Sequence, residues 1–187
     1  MNELIARMLY ALAAALTRLP WAWLQRLGDA VARRSIRRDS RESRVTRRNL
    51  ELAYPELPAG GREQLHDEIL RTTARQALET LRLWTRPHAE NLALIREMHG
   101  VEQFDAAIAA GHGVIVAAPH YGNWELLNQW LAARTPLAIL YKAPESAIGK
   151  AFLNRVRAAH ADPDAPERVT QVRAEGSAVR QLWRLLK

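Results

Sequence analysis

The chain has 187 residues, 48% of them hydrophobic, no cysteine and a formal net charge of +7. That length suffices for one domain with a real core or for part of a larger one, and the apolar content excludes a disordered chain. The absence of cysteine removes disulfides, thiolate zinc sites and cysteine nucleophiles, and fits a reducing compartment.

Residues 3 to 18 and 21 to 38 read as two helices parted by Pro20, a residue suited to a helix start and not to a helix interior. The segment from Leu4 to Ala32 is largely apolar, rich in Leu and Ala with Trp21 and Trp23, but Arg7, Arg18 and Arg26 interrupt it. No charge-free run approaches the ~20 residues of a transmembrane helix. The recurring basic residues and the lack of an Ala-x-Ala cleavage site argue against a signal peptide. Eight arginines follow between Arg33 and Arg48, against only Asp39 and Glu42. Such a run favours anionic partners: lipid headgroups, nucleic acid or an acidic protein. An apolar stretch with spaced arginines and a polybasic segment behind it fits an interfacial membrane anchor. A short or tilted span with snorkelling arginines, and two amphipathic helices packed on the protein itself, are the competing readings.

Val45 to Leu52 continues as helix, and Tyr54 to Gly61 is a loop by composition. Residues 62 to 85 form the clearest amphipathic helix, with Leu65, Ile69, Ala74, Leu78, Leu81 and Trp84 at helical spacing, ended by Arg86-Pro87. From Gly100 the rhythm changes. Val101–Ala110 is a helix, Val114–Ala118 a strand and Asn123–Ala133 a helix with Asn123 as its N-cap. Leu137–Tyr141 is a second strand, Ala147–Ala159 a helix, Val169–Val172 a third strand and Ser177–Lys187 a helix. Strands alternating with helices of this length indicate an α/β fold with a largely parallel sheet. Three short strands make a small sheet, and the sequence stops within a strong helical pattern. Both features read as an incomplete sheet in a chain lacking its C-terminal part.

The chemistry concentrates in Pro119-His120-Tyr121-Gly122-Asn123-Trp124-Glu125. Ligands in open α/β sheets bind beyond the carboxyl ends of strands, where His120 lies. A neutral imidazole is a good general base near pH 7 but needs a partner to fix its tautomer and stabilise its protonated form. Glu125, in the first turns of the next helix, supplies such a partner, and Gly122 gives the turn the freedom to bring the two together. Asn123 either caps the helix or binds substrate. None of the serines (Ser35, Ser40, Ser43, Ser146, Ser177) falls in this turn, and no Gly-x-Ser-x-Gly elbow exists. A base and carboxylate without a local nucleophile point to activation of a substrate hydroxyl and direct group transfer. Lys142 follows the next strand and is placed to hold an anionic substrate group. His66, His88, His99, His112 and His160 have no metal-ligand spacing and read as structural or surface residues, His66 on a polar helix face.

His120-Tyr-Gly-Asn-Trp-Glu125 resembles the HX4(D/E) motif of the lipid A biosynthesis (lauroyl/myristoyl) acyltransferases, within the lysophospholipid acyltransferase superfamily. Leu19-Pro20, Leu27-Gly28, Arg47-Arg48-Asn49-Leu50-Glu51-Leu52-Ala53-Tyr54-Pro55-Glu56-Leu57, Leu81-Arg82-Leu83-Trp84, Gly100-Val101-Glu102 and Gly111-His112-Gly113-Val114-Ile115 extend it. The resemblance implies an enzyme at the cytoplasmic face of a bacterial inner membrane. It would move a fatty acyl chain from an acyl carrier protein to a hydroxyl of a lipid A precursor or related glycolipid, without metal or organic cofactor. It also implies that His120 is the base, that Glu125 orients it, and that Lys142 and Arg157 match the family's basic residues. The expected partners are the acyl carrier protein, the glycolipid acceptor and an anionic membrane surface, and not nucleic acid. Residues 1–54 would then be a basic, membrane-anchoring helical region, 55–99 the helical part of the catalytic domain, and 100–187 the first portion of an α/β core like that of glycerol-3-phosphate acyltransferase. Ala143-Pro144-Glu145-Ser146-Ala147 departs from the family's Pro-x-x-Asn-Pro pattern. An inactive membrane-binding module built on the same half-fold is the alternative, and a nucleic-acid-binding protein using the arginine run a third.

Overall fold

The computed structural model describes residues 1–119, 121–158 and 169–186. In chain order the elements are α1 (Asn2–Leu16), α2 (Trp21–Arg37), α3 (Arg41–Ala53), α4 (Ala59–Thr85), α5 (His88–Leu92), α6 (Val101–Ala109), α7 (Trp124–Arg134), β1 (Leu137–Tyr141), α8 (Ala147–Ala158), β2 (Val169–Arg173) and α9 (Ala178–Leu185). The fold is mostly helical with one small parallel sheet, in keeping with an α/β class whose sheet is incomplete. No helix among the described residues is long and apolar enough to cross a membrane. The chain divides into two compact units, Ala13–Arg82 and Met1–Leu12 with Leu83–Lys187.

In the unit Ala13–Arg82, Pro20 occupies the N-cap of α2 at φ −54, ψ 143, an extended geometry that its ring favours. Leu24, Gly28 and Ala32, four residues apart, form the buried ridge of α2. Gly28 lets α2 and α4 approach closely: a Cβ there would sit 3.1 Å from Arg75 Cγ and 3.2 Å from Arg75 N, so α4 would have to give by a few tenths of an ångström. Arg75 in turn grips Asp29 with two hydrogen bonds, Nε to Oδ1 at 2.7 Å and Nη2 to Oδ2 at 2.8 Å. α2 ends in a Schellman motif: Asp39 N–H bonds Ile36 O and Ser40 N–H bonds Ser35 O. The left-handed position is filled by Asp39, at φ 43, in place of the usual glycine. Its carboxylate is held by Arg47 at 2.7 Å. Ser40 then caps α3, accepting from Ser43 N at 3.3 Å.

His66 corrects its sequence-based placement on a polar face. It is fully buried on α4. A buried imidazole is tolerated because both nitrogens are engaged: Nε2 meets Ser43 Oγ at 2.9 Å and Nδ1 meets Asp67 Oδ1 at 3.1 Å.

In the other unit, β1 and β2 pair in parallel, Leu137 opposite Val169 through Tyr141 opposite Arg173. α9 packs against both strands and α7 against β1. Leu83, Leu131, Val156 and Val172 are buried core residues of this unit. Trp84 meets Phe152 edge-on at 6.1 Å between ring centroids.

The expected strand Val114–Ala118 is not formed. Gly113 to Pro119 has no regular secondary structure, and Ile115 is 82% exposed. Apolar character alone does not make a strand; a ladder partner is needed, and among the described residues this segment pairs with neither β1 nor β2. The segment is tied down at its start instead. Gly113, at φ 72, lies so close to Leu186 after α9 that a Cβ would meet Leu186 Cδ2 at 2.8 Å.

Candidate active site at the start of helix α7

The turn into α7 is built as its sequence dictates. Gly122 has φ 68 with open space around it, a backbone state that a side chain would strain. Asn123 follows as the N-cap in extended conformation, and its Oδ1 accepts from Glu125 N at 3.3 Å. Of the two roles open to Asn123 in the sequence, the structure shows the cap.

Glu125 is 5% exposed, within the first turn of α7. A carboxylate gains from the partial positive charge at a helix start, yet its burial carries a desolvation cost that surface glutamates avoid. One turn later Gln129, also 5% exposed, continues the same face. Its Nε2 donates to Leu83 O at 3.1 Å, and its Oε1 accepts from Asn91 Nδ2 at 2.9 Å. Asn91 Nδ2 also donates to Leu83 O at 2.8 Å. Leu83 O lies in the last turn of α4, where carbonyls lack helical partners. Two side-chain amides from α5 and α7 therefore cap α4 and fix the rotation of the helix that carries Glu125. The sequence reading missed this bridge.

The opposite face of α7 is apolar. Leu127 lies ~200° round the helix from Glu125 and from Gln129, and Leu126, Trp130 and Asn123 flank it. These residues wall an open groove of about 380 Å³, closed on its other sides by Met98, Phe104 and Val116. The wall is braced: Phe104 and Trp130 rings lie 5.3 Å apart, and Trp130 Nε1 donates to Met98 Sδ at 3.1 Å. Arg134 covers the far side of Trp130 at 4.4 Å and pairs with Asp105 at 3.1 Å.

Of the other expected site residues, Lys142 is exposed and directly follows Tyr141, the last residue of β1. His120 lies outside the described residues, as does the Arg157 side chain, whose backbone belongs to α8.

The cluster in the other unit invites comparison with catalytic and metal sites. Ser43, His66 and Asp67 follow the order of a hydrolase triad, but Ser43 is fully buried and offers no surface to a substrate. Glu63, His66 and Asp67 bring ligand-type atoms within 4.8 Å of one another. Glu63, however, is already taken by Arg47 through bonds of 2.9 and 3.2 Å, which hold its carboxyl below the ordinary glutamate range. The cluster is a hydrogen-bonded clamp between α3 and α4.

Comparison with known proteins agrees with the family resemblance read from the sequence. The chain is 36% identical over 89 residues to a phosphatidylinositol mannoside acyltransferase of Mycobacterium tuberculosis (strain CDC 1551 / Oshkosh), covering 47% of this chain and 28% of that protein. The corresponding enzyme of Mycolicibacterium smegmatis (strain ATCC 700084 / mc(2)155) is 32% identical over 113 residues, covering 60% and 36%. The lipid A biosynthesis lauroyltransferase of Escherichia coli (strain K12) is 24% identical over 124 residues, covering 66% and 40%. The chain thus spans less than half the length of these relatives. Residues 2–160 match the family described as bacterial lipid A biosynthesis acyltransferase, and the chain belongs to that family.

Proposed function

We propose that this chain carries the base and acyl-entry portion of an O-acyltransferase. The enzyme transfers a fatty acyl group from an acyl carrier protein thioester to a hydroxyl of a membrane glycolipid. His120 takes the proton of the acceptor hydroxyl as its oxygen attacks the thioester carbonyl. The tetrahedral intermediate collapses to the new ester, and the thiolate of the carrier leaves and is protonated by the imidazolium. Glu125 orients His120 and stabilises its protonated form. Lys142 and Arg157 hold anionic groups of the acceptor. The reaction belongs at the cytoplasmic face of a bacterial inner membrane, where a soluble acidic carrier and a lipid acceptor meet.

One observation carries this reading. The buried Glu125 and the apolar groove leave α7 on different faces but both reach its N-terminal end, at the Asn123 cap that follows Gly122. An alkyl chain lying in the groove brings its carbonyl to that end. The names of the relatives, which act on phosphatidylinositol mannoside and on lipid A, support a glycolipid acceptor.

The test is transfer of labelled acyl groups from acyl carrier protein to a glycolipid acceptor. His120→Ala should lower transfer by several orders of magnitude while the unfolding midpoint is kept. Glu125→Gln should lose less, since it removes only the orientation and charge that support the base. Undiminished transfer by His120→Ala would sink the mechanism. Vesicle binding with no transfer by the unaltered protein would favour a binding module instead.

A further inference from the structure

The outward face of α2 is divided along its length. Trp23, Leu27 and Val31, each one turn after the last, are 59%, 38% and 52% exposed. They lie ~100° round the helix from the buried ridge of Leu24, Gly28 and Ala32. The same outward face continues, past Val31, as Arg34, Arg37 and Arg38, all exposed. In α3, by contrast, Arg44, Arg47 and Arg48 each pair with a carboxylate of the chain. No ion pair engages Arg34, Arg37 or Arg38 among the described residues.

We propose that this face of α2 docks obliquely on an anionic phospholipid surface. Trp23, Leu27 and Val31 enter the acyl–headgroup boundary, and Arg34, Arg37 and Arg38 meet lipid phosphates. The proposal extends the functional reading above in giving its lipid acceptor a point of approach, but it stands on the geometry of α2 alone. A bilayer edge supplies apolar and anionic layers at different depths within one contact. From Trp23 to Arg38 the helix runs ~22 Å, and a tilt that lowers its N-terminal half places each group in its layer. Arg26, over the Trp23 ring at 5.8 Å, can extend its guanidinium towards the headgroups while its stem stays with the tryptophan. An acidic protein or a duplex would satisfy the arginines and leave three apolar side chains against charge. A second copy would bring the same arginines.

The test is sedimentation of the whole chain with vesicles of neutral phospholipid, with and without phosphatidylglycerol. Each arginine near an anionic surface contributes roughly fivefold in affinity, so Arg34→Gln/Arg37→Gln/Arg38→Gln should weaken binding to anionic vesicles about a hundredfold and flatten its salt dependence. The corresponding triple lysine variant should retain binding, which separates lost charge from lost folding. Trp23→Ser/Leu27→Ser/Val31→Ser should abolish the binding that survives high salt. Quenching of tryptophan fluorescence by brominated lipid should fall in Trp23→Phe. It should be unchanged in Trp21→Phe, whose ring packs under Arg82 at 5.9 Å. Equal vesicle binding by the unaltered and glutamine-substituted chains would overturn the proposal. So would loss of self-association, or of binding to an acidic protein, with vesicle binding intact. Acyl transfer to an acceptor in neutral detergent micelles should be unaffected by either triple substitution. Failure of transfer there, with vesicle binding retained, would count against the enzymatic reading and leave the docking surface standing.

Discussion

The amide bridge beneath α7 makes a quantitative test of how Glu125 is held. Gln129→Leu keeps the side-chain volume and removes two hydrogen bonds, to Leu83 O and from Asn91 Nδ2. It leaves no orphan at Leu83 O, because Asn91 still donates there at 2.8 Å. Asn91→Leu removes bonds to Leu83 O, Arg86 O and Gln129 Oε1, and strands that last oxygen in a residue only 5% exposed. A net hydrogen bond contributes about 1 kcal/mol, and a buried unsatisfied acceptor costs about 1–3 kcal/mol. Gln129→Leu should therefore cost about 1–2 kcal/mol, partly offset by the added apolar burial, and Asn91→Leu about 2–4 kcal/mol. For a chain of this size the second corresponds to a fall of roughly 5–15 °C in Tm. The double variant should cost less than the sum of the two, by about 0.5–2 kcal/mol, since each removes the other's partner. Urea unfolding of the four proteins measures the cycle. Equal costs for the two single variants, or strict additivity, would refute the claim that one carbonyl is capped by a shared pair of amides.

Two further expectations follow from the unit Ala13–Arg82. Gly28→Ala places a methyl 3.1–3.3 Å from the side chain and backbone of Arg75, so α2 and α4 must part. Despite alanine's better helix propensity it should destabilise by about 1–3 kcal/mol in urea unfolding. Asp29 is held below the ordinary aspartate value of 3.8, chiefly by its hydrogen bonds from Arg75. A lowered folded-state value means that its contribution is present above the unfolded value and is lost as pH falls through the folded one. Below about pH 4 the stability of the unaltered protein should thus fall more steeply than that of Asp29→Asn; parallel slopes would show that the pair contributes nothing.

What the sequence reveals here follows the range of the interaction concerned. The Pro20 start of α2, the Asn123 cap and the turn at Gly122 were legible because each rests on residues within a few positions, and the apolar runs of β1 and β2 found the partners across the chain that their pairing needs. The strand at Val114–Ala118 failed for the opposite reason. Its apolar run is genuine, but a strand also needs a neighbour, and neighbours are chosen across the whole chain. His66 looked polar-facing because Ser43, which makes its burial tolerable, is 23 residues away. The Asn91–Gln129 bridge spans 38 residues and joins two ordinary-looking amides. α5 has only five residues, too few to show a helical period.

The composition of α7 gains a reason from this geometry. A helix at the edge of a domain carries one apolar stripe; Trp124-Glu-Leu-Leu-Asn-Gln-Trp-Leu131 does not. Glu125 and Gln129 occupy a buried face that would ordinarily be leucine or valine, and Leu126, Leu127 and Trp130 occupy the face that would ordinarily meet water. An apolar groove wall needs apolar side chains turned outwards. A helix so built has little hydrophobic difference between its faces to fix its rotation. Specific hydrogen bonds do so instead: Gln129 locks to the end of α4, and the Asn123 cap locks the first turn. The groove and the carboxylate are thereby held in register at one helix end. The polar bridge and the catalytic reading of Glu125 are then two consequences of the same arrangement, since a helix free to rotate would aim neither.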